Sequence, residues 1–128
     1  MIAHVVLFRP KRELTAEERQ AFVGALEDAL TKIDLIKRAT IARRIVLGRL
    51  YDQGATDFPF AAILEFATEA DLRAYLDHPA HVNLGRQFYL ASEQALALDY
   101  EALEGDWVTE LLSPSTETPQ RLRDSENN

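Results

Sequence analysis

Apolar positions along the 128-residue chain change their period several times, and each change marks an element. Ile2 to Phe8 is a short apolar run rich in β-branched side chains, closed by Arg9-Pro10, and it reads as a strand. Thr15-Ala16-Glu17-Glu18 follows as a capping-box pattern, in which the Thr15 hydroxyl accepts from a free backbone N–H and Glu18 reaches back. Phe22, Leu26, Leu30 and Ile33, with Ala25 and Ala29 beside them, then recur at helical spacing. They predict a helix from about Ala16 to Lys32.

Ile36 to Leu47, with Ile41, Ile45 and Val46 among basic pairs, reads as a second strand. The Gly- and Asp-rich segment around Leu50 to Asp57 reads as a loop, and Pro59 is tolerable only where a strand begins or at an edge. Phe60 to Phe66 is the third strand. Thr68-Glu69-Ala70-Asp71 starts a second helix, whose buried side is Leu72, Tyr75 and Leu76. His78-Pro79 should end or bend it, because helical geometry is disfavoured before proline, while Pro79 suits the first turn of a further helix carrying Val82, Leu84 and Phe88. Ala95 to Glu101 alternates as a fourth strand. Strand, helix, strand, strand, helix pair, strand is the ferredoxin-like βαββαβ order, an α+β fold with an antiparallel sheet.

The strands carry a second message. Ile2, Val6 and Phe8 alternate with Ala3, Val5 and Leu7, and Phe60, Ala62, Leu64 and Phe66 alternate with Ala61 and Ile63, so each strand is apolar on both sides. Helices from one chain cover one face of the sheet, and the other face should be polar if it met water. An apolar second face calls for a partner, and twofold pairing of two such sheets into a dimeric α+β barrel supplies one. A monomer would need the segment around Trp107 to cover the sheet. Beyond Leu103 the character changes. Residues 1–103 read as one domain and 104–128 as an extension, in which Trp107-Val108 and Leu111-Leu112 suit a short docking segment and the polar stretch after Ser113 suits a mobile tail.

Composition narrows the function classes. A net charge of -7 and a pI near 4.9 oppose general attraction to nucleic acid or anionic membranes. With no cysteine, thiolate chemistry and disulfides are excluded. The N-terminal apolar run is too short for a signal peptide, and no stretch approaches the ~18 apolar residues of a membrane span, so a cytoplasmic protein is expected. No Gly-rich phosphate loop or dinucleotide fingerprint occurs. The pairs Lys37-Arg38 and Arg43-Arg44, with Arg9, Lys11 and Arg12, suit either a local anion site or a solvated face.

The start His4-Val5-Val6-Leu7-Phe8, the run Glu65-Phe66, and above all Tyr75-Leu76-Asp77-His78-Pro79-Ala80-His81-Val82 resemble the stress-responsive A/B barrel (Dabb) family, with Asp99-Tyr100-Glu101 resembling the close of its domain. The resemblance spans residues 1 to 103 and implies a homodimer. The family includes plant stress-associated proteins and olivetolic acid cyclase, which closes a ring by aldol condensation without metal or organic cofactor. By that distant likeness, His4, Tyr75 and His81 are the candidate catalytic residues, with no cofactor and no metal.

In the catalytic reading, a neutral imidazole takes a proton from carbon beside a carbonyl and a tyrosine hydroxyl steadies the oxyanion. His81 is the better base, because in the first turn of a helix the positive helix end should lower its pKa. In the structural reading, His78 caps the bend while His81 and Tyr75 hold helix to sheet. A metal reading through His78, His81 and His4 with Asp77 or Asp71 is weaker, since the proline bend spoils the spacing. The expectation is therefore a Dabb homodimer that binds a small apolar carbonyl compound with cyclase-, isomerase- or lyase-like chemistry. Its alternatives are a non-catalytic stress or ligand-binding protein and, more weakly, a cofactor-free monooxygenase-like activity.

Overall fold

The structure, a computed structural model, describes residues 1–113. Its elements are β1 (Ile2–Pro10), α1 (Ala16–Lys32), β2 (Arg38–Arg43), a 3-10 turn (Leu50–Asp52), β3 (Phe60–Phe66), α2 (Glu69–Asp77), α3 (Pro79–Ala91), β4 (Ser92–Glu101) and α4 (Trp107–Leu112). One antiparallel sheet has the order β2-β3-β1-β4, so the α+β ferredoxin-like expectation is met. The polar stretch after Ser113 lies outside the described residues.

Local chemistry explains the element ends. The Thr15 hydroxyl accepts from the Glu18 N–H at 3.1 Å while the Glu18 carboxylate accepts from the Thr15 N–H at 3.0 Å, closing the capping box that starts α1. Thr68 caps α2 in the same sense by accepting from the Asp71 N–H. His78 serves two helices at once. Its backbone ends α2, and its Nδ1 accepts from the Ala80 N–H at 3.0 Å to cap α3, whose first residue is Pro79.

The core lies between the helices and one face of the sheet. Ala25, Ala29 and Ile33 meet Leu64, Phe66, Leu72, Tyr75 and Leu84 there. The alanines let α1 lie close to its neighbours, and Phe66 and Tyr75 are the largest fully buried side chains.

Three expectations need correction. β2 ends at Arg43 instead of Leu47, because its partner β3 begins at Phe60 and the last bond between them runs from the Arg44 N–H to the Pro59 carbonyl. Ile45, Val46 and Leu47 then continue without a ladder and are exposed. β4 begins earlier, at Ser92, because β1 extends to Pro10 and pairs with it across a bulge. Finally, α4 forms, but Trp107, Val108, Leu111 and Leu112 stay exposed rather than docking on the other described residues. The second face of the sheet stays uncovered too. Leu96, Leu98 and Tyr100 of β4 lie opposite Leu7, Val5 and Ala3 of β1 on that face, and Leu98 is 43% exposed.

Candidate active site

Alternation along β1 sends His4, Val6 and Phe8 to the helix side of the sheet, where they line a partly open cavity of about 380 Å³. Leu64 of β3 and Asp99 of β4 flank His4 in register. His4 is 7% exposed, and its Nδ1 lies 2.5 Å from Asp99 Oδ1, so that nitrogen carries the proton and donates it. Among the described residues no hydrogen bond engages Nε2.

Tyr75 enters from the buried side of α2 and is 1% exposed. Its ring packs on Phe66 at 5.0 Å, on His81 at 4.6 Å and edge-on to His4 at 6.1 Å between centroids. Burial pushes its phenol up to about 12, which keeps it protonated as a donor. Among the described residues none hydrogen-bonds the hydroxyl.

His81 is in the first turn of α3, and its Nδ1–H donates to the Leu76 carbonyl at 3.0 Å. The lone pair of Nε2 is therefore available. Its pKa is below the ordinary histidine value, chiefly through burial and further through His4, against opposing contributions from the Leu76 carbonyl and Asp77. The direction agrees with the sequence expectation. The leading cause is burial rather than the helix end.

His4, Tyr75 and His81 thus line one cavity together, in ring contact through Tyr75. The rest of the wall is apolar. Phe8, Phe22 and Phe88 contact one another about four residues along β1 from His4, roughly 13 Å away at strand rise. A molecule that fills the cavity would meet polar rings near His4 and aromatic rings near Phe8. Gly85 of α3 also lines it, with no atom within 4 Å of where a Cβ would lie.

The sequence reading missed Asp99 as a functional residue, since only the β1–β4 register sets it against His4. Phe22 and Phe88 read there as core rather than as cavity walls. His78 is spent on its cap, and the described residues contain no group of three His, Asp or Glu placed to hold a metal ion. Three of the basic side chains singled out by the sequence face acids. Arg9 meets Glu93, Arg38 meets Glu65, and Arg44 meets Asp52 and Asp57, as on a solvated face. No helix among the described residues is long and apolar enough to cross a membrane.

Comparison with known proteins agrees with this architecture. A Dabb protein of ferredoxin-like fold from Mesorhizobium loti is 28% identical, with a TM-score of 0.62 over 80% of this chain and 97% of that one. The hydroxynitrile lyase of Passiflora edulis is 20% identical, with a TM-score of 0.67 over 81% of this chain and 94% of that one. A dimeric ferredoxin-like protein from Thermobifida fusca is 23% identical, with a TM-score of 0.60 over 79% and 90%. No curated protein sequence matches the chain. The profile of the stress responsive A/B barrel domain matches residues 2–102, which include every residue of the cavity, and the chain belongs to that family.

Proposed function

We propose that the chain is a homodimer that binds a small apolar carbonyl compound in this cavity and moves a proton on it without a cofactor. The observation that carries the reading is the meeting of His4, Tyr75 and His81 around one apolar space. His81 Nε2 takes a proton from the carbon beside the carbonyl, and the C–H electron pair passes into the new C–C double bond as the carbonyl oxygen gains charge. The Tyr75 hydroxyl donates to that oxygen. Asp99 fixes the His4 ring with its proton on Nδ1, so that Nε2 accepts from a ligand hydroxyl. Reprotonation at another atom gives isomerisation. Attack of the enolate on a second carbonyl gives cyclisation, and loss of a leaving group gives a lyase reaction.

The resemblance to olivetolic acid cyclase and the fold shared with a hydroxynitrile lyase support chemistry of this class. The homodimer rests on the uncovered apolar sheet face and on dimeric proteins of the same fold. The near-complete burial of Tyr75 suits a purely structural role equally well, which makes a non-catalytic ligand-binding protein the second reading.

The test is a screen of aliphatic and aryl ketones by thermal shift, since a ligand specific for the folded state raises the midpoint. Each hit is then followed by NMR in D₂O. The reading expects deuterium to enter the α-carbon faster than in buffer, and His81→Ala to abolish the gain. Hits that bind with no gain in exchange favour the second reading.

A further inference from the structure

We propose that α4 is a docking arm that packs on a second copy of this chain and extends the contact between the two sheets. The inference rests on the homodimer reading and adds to it a segment that the shared domain lacks. The domain match ends at residue 102, and the Mesorhizobium loti protein is 97% covered by only 80% of this chain. α4, at Trp107–Leu112, lies beyond the matched domain.

Exposed apolar residues recur along the chain toward it. Leu96, Leu98 and Tyr100 bring the open face of the sheet to the end of β4, Leu103 follows, and Gly105 turns the chain at φ +72°. Trp107, Val108, Leu111 and Leu112 then fall on one side of the helix, with Asp106, Thr109 and Glu110 elsewhere around it. A helix of six residues is too short to persist in water on nucleation grounds, so α4 needs a tertiary surface. The other described residues do not supply one. Trp107 is 52% exposed, and Tyr100 on the neighbouring open face is left uncovered at 55%.

A second copy fits the need. Stable interfaces bury about 1,200–2,000 Å² in total, and the open face carries small side chains at Ala3, Ala42 and Ala61. Four large apolar residues on the segment that follows β4, one of them a tryptophan, add the kind of contact that dominates interface energetics.

Trp107 is the single tryptophan of the chain, so its fluorescence reports on α4 alone. The full-length protein is diluted across its dimer–monomer transition, followed in parallel by sedimentation velocity. The expected result is blue-shifted, quencher-protected emission in the dimer that turns red over the same concentration range in which the dimer dissociates. Leu111→Asp should raise the dissociation constant at least about tenfold with an unchanged circular dichroism spectrum, because an exposed position leaves the monomer fold intact. A dimer whose Trp107 emission is red and fully quenchable overturns the arm and leaves the homodimer standing. Blue emission that persists in the monomer also overturns it, by placing α4 on its own chain. A chain that sediments as a monomer at every concentration overturns the homodimer and the arm together.

Discussion

His4 and Asp99 face each other across the β1–β4 ladder with Nδ1 and Oδ1 2.5 Å apart, so an exposed carboxylate backs an almost buried imidazole. Asp99→Asn keeps the size of the side chain but allows an amide to rotate and favour the other tautomer of His4. The expected outcome is an unchanged fold with α-carbon deuteration slower by about 10²- to 10⁴-fold. ¹⁵N chemical shifts of the His4 ring read the tautomer directly, and an unaltered rate with an altered tautomer removes His4 from the mechanism.

His81 has a pKa below the ordinary value of 6.5, with burial as the first cause. The unfolded chain therefore binds this proton at a higher pH than the folded one does. The stability His81 contributes is present above pH 6.5 and declines as the pH falls below that value. Urea unfolding between pH 5 and 8 should show a smaller acid-side loss in His81→Gln than in the native chain. An NMR titration that places the His81 midpoint above 6.5 contradicts both this prediction and its role as base.

Tyr75→Phe retains the ring that packs on Phe66 and His81 and removes only the hydroxyl. Exchange on a bound ketone should slow by about 10²- to 10³-fold while the thermal midpoint hardly moves, as for loss of one oxyanion donor. With the phenol raised from 10.0 to about 12, the native protein should also lose stability as the pH rises through that interval. Tyr75→Phe should lack that part of the alkaline loss, which denaturant unfolding measures.

Gly85 separates packing from ligand space. A Cβ there meets nothing within 4 Å, and the residue lines the cavity within a helix. Gly85→Ala should stabilise the fold by up to about 1 kcal/mol through helix propensity. Gly85→Leu should fill part of the cavity and weaken ketone binding. Calorimetric titration of both variants checks this, and undiminished binding by Gly85→Leu places the ligand elsewhere.

Leu98 lies on the open sheet face, part-way along the edge strand β4 and opposite Val5. Leu98→Asp sets a carboxylate where the two sheets are proposed to meet, so the variant should sediment as a monomer at concentrations where the native chain is a dimer. Its circular dichroism should be unaltered. A dimer of native affinity locates the interface on another surface.

Much of this fold is legible in local chemistry. Thr15 and Glu18 locate the start of α1 because a capping box is complete within four residues, and His78-Pro79 locates the α2–α3 bend because proline acts on its immediate neighbours. β2 is the contrary case. Ile45, Val46 and Leu47 have strand-forming side chains, yet whether they form a ladder depends on where β3 begins, sixteen residues on from Arg44. The candidate site divides in the same way. His4, Tyr75 and His81 stand out by residue type and motif, whereas Asp99 acquires its significance from strand register, which no local pattern encodes.

The order of elements, their caps and the two-sided apolar character of the sheet follow from the amino-acid sequence alone, since periodicity and capping are properties of residues close in the chain. Packing of distant elements sets the rings of Tyr75 and His81, 71 and 77 residues along the chain, beside His4 around one cavity, makes burial the main cause lowering the His81 pKa, and leaves α4 without a seat among the described residues. A cavity is the gap left where side chains from distant elements fail to fill the space between them, and that sum is settled only when those elements pack.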